Sequence, residues 1–164
     1  TTLFRILTGQ ETADSGEIRI GPTVQLAYVD QSRQSLDDKK TVWQEISNSQ
    51  DIIKVGNYEI PSRAYVGHFN FRGTQQSQLI GELSGGERKR LVLDLLLTSG
   101  ADVLLIDEPD NYLDIPTRVW LEEQIKACKS TILMVSHDRA LLERVHVTRT
   151  VRLAAGRSVP ATTG

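Results

Sequence analysis

Continuous apolar runs alternate with amphipathic segments in the C-terminal half of the chain. VLLI at 103–106 and TILMV at 131–135 form the apolar runs, RTVRL at 149–153 is a further candidate strand, and helical patterns occupy 115–128 and 138–145. Strands that are apolar throughout are typical of parallel sheets covered on both faces by helices. The pattern therefore predicts an α/β domain with a parallel core sheet.

The N-terminal half carries shorter elements. Apolar residues recur at helical spacing over 3–7 and Gly9 can end this helix, while EIRI at 17–20 and VQLAYV at 24–29 alternate partly, as strands do. Thr41 and Gln44 form a possible capping box for a second helix, and Pro61 opens a third that ends before Gly73. The middle of the chain is thus predicted to be a mostly helical insertion.

Polar residues follow three of the predicted strands, where ligands bind in open α/β sheets. Gln31 follows VQLAYV, Asp107 and Glu108 follow VLLI, and His137 follows TILMV. One carboxylate of the pair can hold Mg²⁺ through its water shell while the other reaches an attacking water. Each residue also has an ordinary interpretation: turn chemistry for the carboxylates, helix capping around the histidine, and solvation for the glutamine.

The stretch GELSGGERKRL at 81–91 combines a hydroxyl, two glycines and a helix start. Ser84, Gly85 and Gly86 can offer a hydroxyl and backbone N–H groups at the positive end of the apolar helix that follows. This arrangement predicts a phosphate site. The alternative interpretation is that Ser84 is a helix N-cap and the glycines form a loop.

The order of these motifs resembles the nucleotide-binding domain of an ATP-binding cassette (ABC) ATPase, over residues 1 to about 145. The resemblance implies a P-loop NTPase fold with an α-helical subdomain. It also implies that LSGGE is the signature motif, which binds the γ-phosphate of an ATP held by the opposing domain. The residues expected in that contact are Ser84, Gly85, Gly86 and Glu87.

The same resemblance assigns roles to the residues at the strand ends. It implies Glu108 as the catalytic base, His137 as the switch histidine and Gln31 as the Q-loop residue, all three at the hydrolysis site. NYLD at 111–114 becomes the D-loop, with Asp114 near the nucleotide. The implied ligands of Mg²⁺ are Thr1, Gln31 and Asp107.

The family's phosphate cradle, G-x-x-x-x-G-K-[ST], would precede the first helix. The resemblance places Thr1 at the Mg²⁺-ligating hydroxyl and Thr2 at a phosphate-binding position, so the glycine loop and its lysine would lie upstream. We therefore expect an N-terminally truncated fragment that hydrolyses ATP negligibly by itself. A pseudo-enzyme fragment retained only for binding is a further alternative.

Three features resemble the ABC-F group of soluble translation factors. They are Glu87, where transporter signatures usually carry glutamine, and the stretches at 29–47 and 56–73. The resemblance implies a second ATPase domain that pairs head to tail with a first ABC domain of the same chain on two ATP molecules. It also implies ribosome and tRNA as partners. Asp110 departs from the family's pattern, since serine or threonine usually follows the proline of the Walker B motif, which the resemblance identifies as LLIDEP at 104–109.

The alternative function is the ATPase motor subunit of an ABC membrane transporter, which needs a transmembrane partner. The net charge is −2, from 19 basic and 21 acidic residues, so overall electrostatic attraction to nucleic acid or to an anionic membrane is not expected. No apolar run approaches the roughly 18 residues that cross a bilayer, and Cys128 is the single cysteine. We therefore expect a cytoplasmic protein without membrane contact.

The predicted organisation is a partial ABC ATPase domain over 1–153, with its helical subdomain at about 41–97 and a frayed or aberrant tail over 154–164. The basic run Arg88, Lys89 and Arg90 allows two interpretations. It could contact RNA, but a solvated face of the signature helix is favoured for at least two of the three.

Overall fold

The computed structural model describes residues 2–28, 36–55, 58–69, 71–111, 113–154 and 157–160. Two of the predicted site residues, Thr1 and Gln31, lie outside the described residues, and so does Tyr112 of the NYLD motif.

The described residues form six helices, seven strands and two short 3-10 turns. The helices are α1 (Thr2–Leu7), α2 (Val42–Ser47), α3 (Ser62–His68), α4 (Gly85–Leu97), α5 (Ile115–Ala127) and α6 (Arg139–Arg144). The strands are β1 (Leu26–Tyr28), β2 (Ile52–Val55), β3 (Tyr58–Pro61), β4 (Val103–Asp107), β5 (Thr131–Val135), β6 (Val151–Ala154) and β7 (Arg157–Pro160). The 3-10 turns are Gly73–Ser77 and Ile80–Glu82.

A parallel sheet in the order β1-β4-β5 lies at the centre of the fold. Strand β4 is apolar because it is buried between two neighbours, with Leu104, Leu105 and Ile106 all at most 2% exposed. Asp107, the last residue of β4, lies beside Val135, the last residue of β5. The predicted α/β class with a parallel core sheet is confirmed, and the carboxyl ends of β4 and β5 meet at one edge.

Helix α4 joins two apolar clusters. One packs α4 and α5 against the sheet and contains Leu93, Leu96, Ala101, Leu104, Ile106, Leu113, Trp120 and Leu121. The other lies among the helices of the middle region and contains Val42, Val66, Phe69, Phe71, Ile80 and Leu91. Since α4 contributes buried leucines to both clusters, packing fixes the position of this helix beside the core sheet.

Two local predictions in the N-terminal half are confirmed. The hydroxyl of Thr41 accepts a hydrogen bond from the backbone N–H of Gln44 at 3.2 Å, and the Gln44 side chain accepts from the Thr41 N–H at 2.8 Å, which completes a capping box. Helix α1 is followed by Gly9 with a φ of +72°, a left-handed conformation that glycine adopts without strain.

The predicted strand EIRI at 17–20 is wrong, because residues 17–20 form no strand. The apolar side chains of Ile18 and Ile20 are each 43% exposed, and Glu17 and Arg19 pair with each other at 3.0 Å instead of facing a neighbouring strand. In the described part of VQLAYV, only Leu26–Tyr28 is a strand. Alternation over four residues was too short a signal to specify a sheet.

The middle region is not purely helical, since β2 and β3 form an antiparallel hairpin that the sequence interpretation missed. Pro61 ends β3 and also serves as the N-cap of α3, so the predicted helix start is confirmed. At the C-terminal end, β6 pairs antiparallel with β7 in a separate two-stranded sheet. The strand predicted at RTVRL therefore exists in part but is not a strand of the core sheet.

No helix in the described part of the chain is long and apolar enough to cross a bilayer.

Candidate active site

Glu108 and His137 meet at the edge where β4 and β5 end. The backbone N–H of Glu108 donates to the carbonyl of Val135 at 2.7 Å, which fixes the first residue after β4 against the end of β5. The Oε1 atom of Glu108 lies 2.6 Å from Nε2 of His137. The glutamate side chain is 26% exposed and the histidine 87% exposed. A partly buried carboxylate therefore faces an imidazole that solvent or a ligand can reach.

The backbone of Glu108 adopts a conformation that non-glycine residues rarely use. Its φ is +44°, in the left-handed region. The side-chain amide of Asn111 donates to the second carboxylate oxygen, Oε2, so both oxygens of Glu108 have partners. Unfavourable backbone conformations of this kind persist where the surrounding structure fixes them, and they cluster at active sites.

A second contact joins the two loops that leave the sheet edge. The buried carboxylate of Asp110 accepts a hydrogen bond from Oγ of Ser136 at 2.9 Å, and the same Oγ accepts from the backbone N–H of Asp138 at 3.0 Å. Asp110 is the residue that departs from the family's pattern. In this chain its carboxylate holds the loop carrying Glu108 against the loop carrying His137.

Lys89 reaches the Glu108 loop from helix α4. Its ammonium nitrogen Nζ donates to the backbone carbonyls of Glu108 and Asn111, both at 2.8 Å. Burial lowers the pKa of Lys89, and the nearby carboxylates of Asp110, Glu108 and Asp107 act in the opposite direction. The lysine is thus the positive group in an otherwise acidic part of the site.

Ser84 is the N-cap of α4. Its Oγ accepts a hydrogen bond from the backbone N–H of Glu87 at 3.3 Å and donates to Oε2 of Glu87 at 2.7 Å, while the Ser84 N–H donates to the same carboxylate oxygen at 3.0 Å. A side chain added at Gly85 would meet no atom within 4 Å. The N-cap interpretation of Ser84 is therefore confirmed, whereas the expected glycine loop is wrong, because Gly85 and Gly86 form the first two residues of α4. Binding of a phosphate by Ser84, Gly85, Gly86 and Glu87 stays a prediction.

The remaining predicted ligands lie at the starts of other helices. Asp114 is the N-cap of α5 and accepts a hydrogen bond from the N–H of Thr117 at 3.1 Å, and hydrogen bonds from Thr117 lower its pKa. Thr2 is the first residue of α1. Their roles toward a nucleotide remain predictions.

The basic run on α4 is neither a solvated face nor a free patch. Arg88 pairs with Asp38 at 2.5 Å, Lys89 binds the Glu108 loop, and the guanidinium of Arg90 lies 4.8 Å from the ring centre of Trp120. The expectation of a solvated face is wrong, because each of the three cations has a partner on another segment of the chain.

Asp107 is the described residue that best suits a Mg²⁺ ion. Magnesium is usually held by one or two carboxylates together with waters and substrate phosphates, and Asp107 presents a carboxylate at the end of β4. Among residues that the structure describes, no group of three or more His, Cys, Asp or Glu could hold a metal ion. A single carboxylate fits Mg²⁺, which takes its other ligands from waters and phosphates.

Sequence interpretation placed Asn111 in the predicted D-loop and Lys89 in the basic run, and it missed the contacts of both with Glu108. The spacing of Asn111, three residues after Glu108, was a usable signal, because a turn brings such side chains together. For Lys89 the sequence holds no comparable signal, since its contact depends on how α4 packs beside the end of β4.

Sequence similarity to known families identifies the family of this chain without reference to the geometry of the site. The sequence model of the ABC transporter family matches residues 1–111 of this chain. The chain belongs to the ABC transporter family. This assignment agrees with the predicted resemblance to ABC ATPases and places the signature motif and both strand-end carboxylates of this ABC domain within the matched region.

Curated relatives of this ABC domain include translational throttle proteins and an ATP-binding protein. Over 145 residues it is 57% identical to the energy-dependent translational throttle protein EttA of Haemophilus influenzae and 54% identical to that of Escherichia coli K12, covering 88% of the chain and 26% of each relative. It is 38% identical to the ATP-binding protein Uup of Escherichia coli K12, covering 87% of the chain and 22% of that relative. The predicted resemblance to the ABC-F group is confirmed, and the chain spans about a quarter of the length of these relatives.

Solved structures agree on the fold. The chain matches an RNase-L inhibitor with a TM-score of 0.73 at 24% identity, covering 98% of the chain and 32% of that structure. It matches the ATP-binding cassette MJ0796, a dimer bound to ADP and Pi, with a TM-score of 0.71 at 16% identity, covering 99% and 81%. These likenesses confirm the predicted P-loop NTPase fold of this ABC domain.

Proposed function

We propose that the chain is part of the second ATPase domain of a soluble ABC-F translation factor, which binds and hydrolyses ATP and gates translation on the ribosome. The observation that carries the hydrolytic part is the 2.6 Å contact between Glu108 Oε1 and His137 Nε2 at the ends of neighbouring strands. The 57% identity to the translational throttle protein supports the translational part over a transporter motor.

In the proposed reaction, the carboxylate of Glu108 orients a water for in-line attack on the γ-phosphorus and accepts its proton. The new P–O bond forms to that water as the bond to the ADP oxygen breaks. Asn111 holds the Oε2 side of the carboxylate, while Oε1 contacts His137. We infer that the exposed imidazole turns to the γ-phosphate when ATP binds, which frees Oε1 for the water.

The site is proposed to be completed by a first ABC domain of the same protein, head to tail. Ser84, Gly85, Gly86 and Glu87 would bind the γ-phosphate of the ATP held by that domain, where the open space beside Gly85 allows a close approach. Asp114 would lie near the nucleotide at the interface. At the site that includes Glu108, Asp107 would hold Mg²⁺, with Thr1 and Gln31 as further ligands and Thr2 on a phosphate. When bound, Mg²⁺ would neutralise part of the negative charge on the phosphates.

The organisation and setting of the protein belong to the same proposal. The proposed ABC domain comprises 1–153 with a helical subdomain at about 41–97, and 154–164 is the proposed frayed or aberrant tail. Within that tail, Ala154 and Arg157–Pro160 belong to the β6–β7 pair. The ribosome and tRNA are the proposed partners of the complete protein, which acts in the cytoplasm without a membrane.

The test is co-sedimentation of the complete protein with ribosomes. We expect the Glu108→Gln variant to pellet with ribosomes in the presence of ATP and to remain in the supernatant without it, because loss of the base stops reopening after ATP-driven closure. The wild-type protein should pellet less under the same conditions, since it hydrolyses its ATP and dissociates.

One control variant and one contrary outcome separate the alternatives. A Glu123→Gln variant changes an exposed carboxylate on α5 and should behave as wild type. If the Glu108→Gln protein binds ATP but never pellets with ribosomes, the translational role is wrong and the transporter motor becomes the better hypothesis.

A further inference from the structure

The turn that carries Glu108 is bridged from outside by one lysine. Nζ of Lys89 donates to the carbonyl of Glu108 and to the carbonyl of Asn111, each at 2.8 Å, and so joins the first and last residues of the turn 108–111. The Asn111 N–H also donates to the Glu108 carbonyl, at 3.3 Å. These contacts close the turn through its backbone carbonyls, while the Glu108 side chain contacts His137.

The turn needs such support because its first residue is unfavourable by itself. Glu108 has a φ of +44°, which an L-residue with a long side chain rarely adopts. A relaxed backbone at this position would change the direction of the Cα–Cβ bond and therefore of the carboxylate. The 2.6 Å contact with His137 depends on that direction.

Lys89 is suited to hold the turn. Hydrogen bonds from a charged donor are stronger than those between neutral groups, and partial burial strengthens them further. Burial lowers the pKa of Lys89, and the carboxylates of Asp110, Glu108 and Asp107 offset part of this cost to the charged ammonium. The stem of the lysine begins on α4, which is anchored in both apolar clusters of the fold.

We propose that Lys89 is a positioning residue, which directs the Glu108 carboxylate and thereby connects the signature helix α4 to the hydrolysis step of the same domain. The identity of that step rests on the proposed function, whereas the effect on the turn does not. Lys89 acts through the backbone of Glu108 and Asn111 and contacts neither water nor nucleotide in the reaction.

The kinetic test uses the complete protein with Lys89→Met, which keeps the length of the side chain but removes its donors and charge. We expect kcat for ATP hydrolysis to fall about 10-fold, equivalent to about 1.4 kcal/mol in the barrier, and KM for ATP to change less than about twofold. Lys89→Arg retains a charged multiple donor and should restore most of kcat. Lys126→Met, which removes an exposed lysine on α5, should match wild type.

A double variant separates positioning from a general loss of structure. In the Glu108→Gln background, Lys89→Met should lower the residual rate by less than about twofold, because the carboxylate that it positions is already gone. A merely structural lysine would lower kcat by the same factor in both backgrounds. That additive result would overturn the proposal.

Hydrogen exchange gives a readout that does not depend on ATP hydrolysis. The N–H of Glu108, which donates to Val135, should exchange about 10-fold faster in Lys89→Met than in Lys126→Met, while amides in the middle of β4 keep their protection. Unchanged exchange at Glu108 would refute the positioning role. If instead exchange rises but the wild-type protein hydrolyses no ATP, the proposed function fails and the role of Lys89 in the turn stands.

Discussion

Replacing Glu108 with glutamine should lower kcat for ATP hydrolysis roughly 100- to 10,000-fold, the range expected when a general base is removed. The amide has nearly the same shape as the carboxylate, but it cannot accept the proton of the attacking water. ATP binding should be preserved, because Glu108 directs the water and does not hold the nucleotide. Steady-state hydrolysis and nucleotide affinity of the complete protein measure the two effects separately.

The matched control is Glu123→Gln, which makes the same chemical change at an exposed position on α5. Its kcat should equal that of wild type within experimental error. A Glu108→Gln protein that turned over ATP at the wild-type rate would show that another group activates the water, and the assignment of Glu108 would then be wrong.

The position of Glu108 and His137 at one edge of the sheet could be predicted from sequence, because it depends only on which strands are neighbours. Two fully apolar runs indicate neighbouring parallel strands, and the residues that follow such strands lie at one edge. The contacts that fix the site could not be predicted in this way. The bonds from Lys89 and the bond between Ser136 and Asp110 depend on packing between segments that are far apart in the chain.

The missed hairpin and the wrong strand have different causes. Gly56 and Asn57 separate two runs that contain isoleucine, valine and tyrosine, and this pattern indicates a hairpin with a two-residue turn. The hairpin was missed because the middle region was interpreted as mostly helical. EIRI has good strand residues but forms no ladder, and β propensity without a pairing partner does not specify a strand.

Helix α4 contains a buried carboxyl group that function does not explain. Asp94 is 5% exposed, and its Oδ2 atom has no hydrogen-bond partner. Burial raises the pKa of Asp94 to about 8, although the charge of Arg90 acts to lower it. Arg90 itself packs over the ring of Trp120, which is 8% exposed. The folded protein therefore holds a proton on Asp94 at neutral pH that the unfolded chain releases.

This raised pKa makes stability fall as pH rises. Between the ordinary pKa of 3.8 and about 8, the folded state binds more protons at Asp94 than the unfolded state, so the free energy of unfolding decreases with pH over this window. At about 1.4 kcal/mol per pKa unit, the loss reaches on the order of 4 kcal/mol by pH 7. Asp94→Asn, whose side chain cannot ionise, should abolish this contribution.

We therefore expect Asp94→Asn to raise the melting temperature of the complete protein, followed by tryptophan fluorescence, roughly 5 to 10 °C more at pH 8 than at pH 5. The larger gain at high pH is the diagnostic feature, because protonated aspartate and asparagine are nearly equivalent at low pH. Asp14→Asn, at an exposed position, should give the same small change at both pH values. If the variant were instead destabilised equally at pH 5 and pH 8, Asp94 would be ionised and paired with Arg90 in the folded protein. The contribution of Asp94 to the free energy of unfolding would then not decrease with pH.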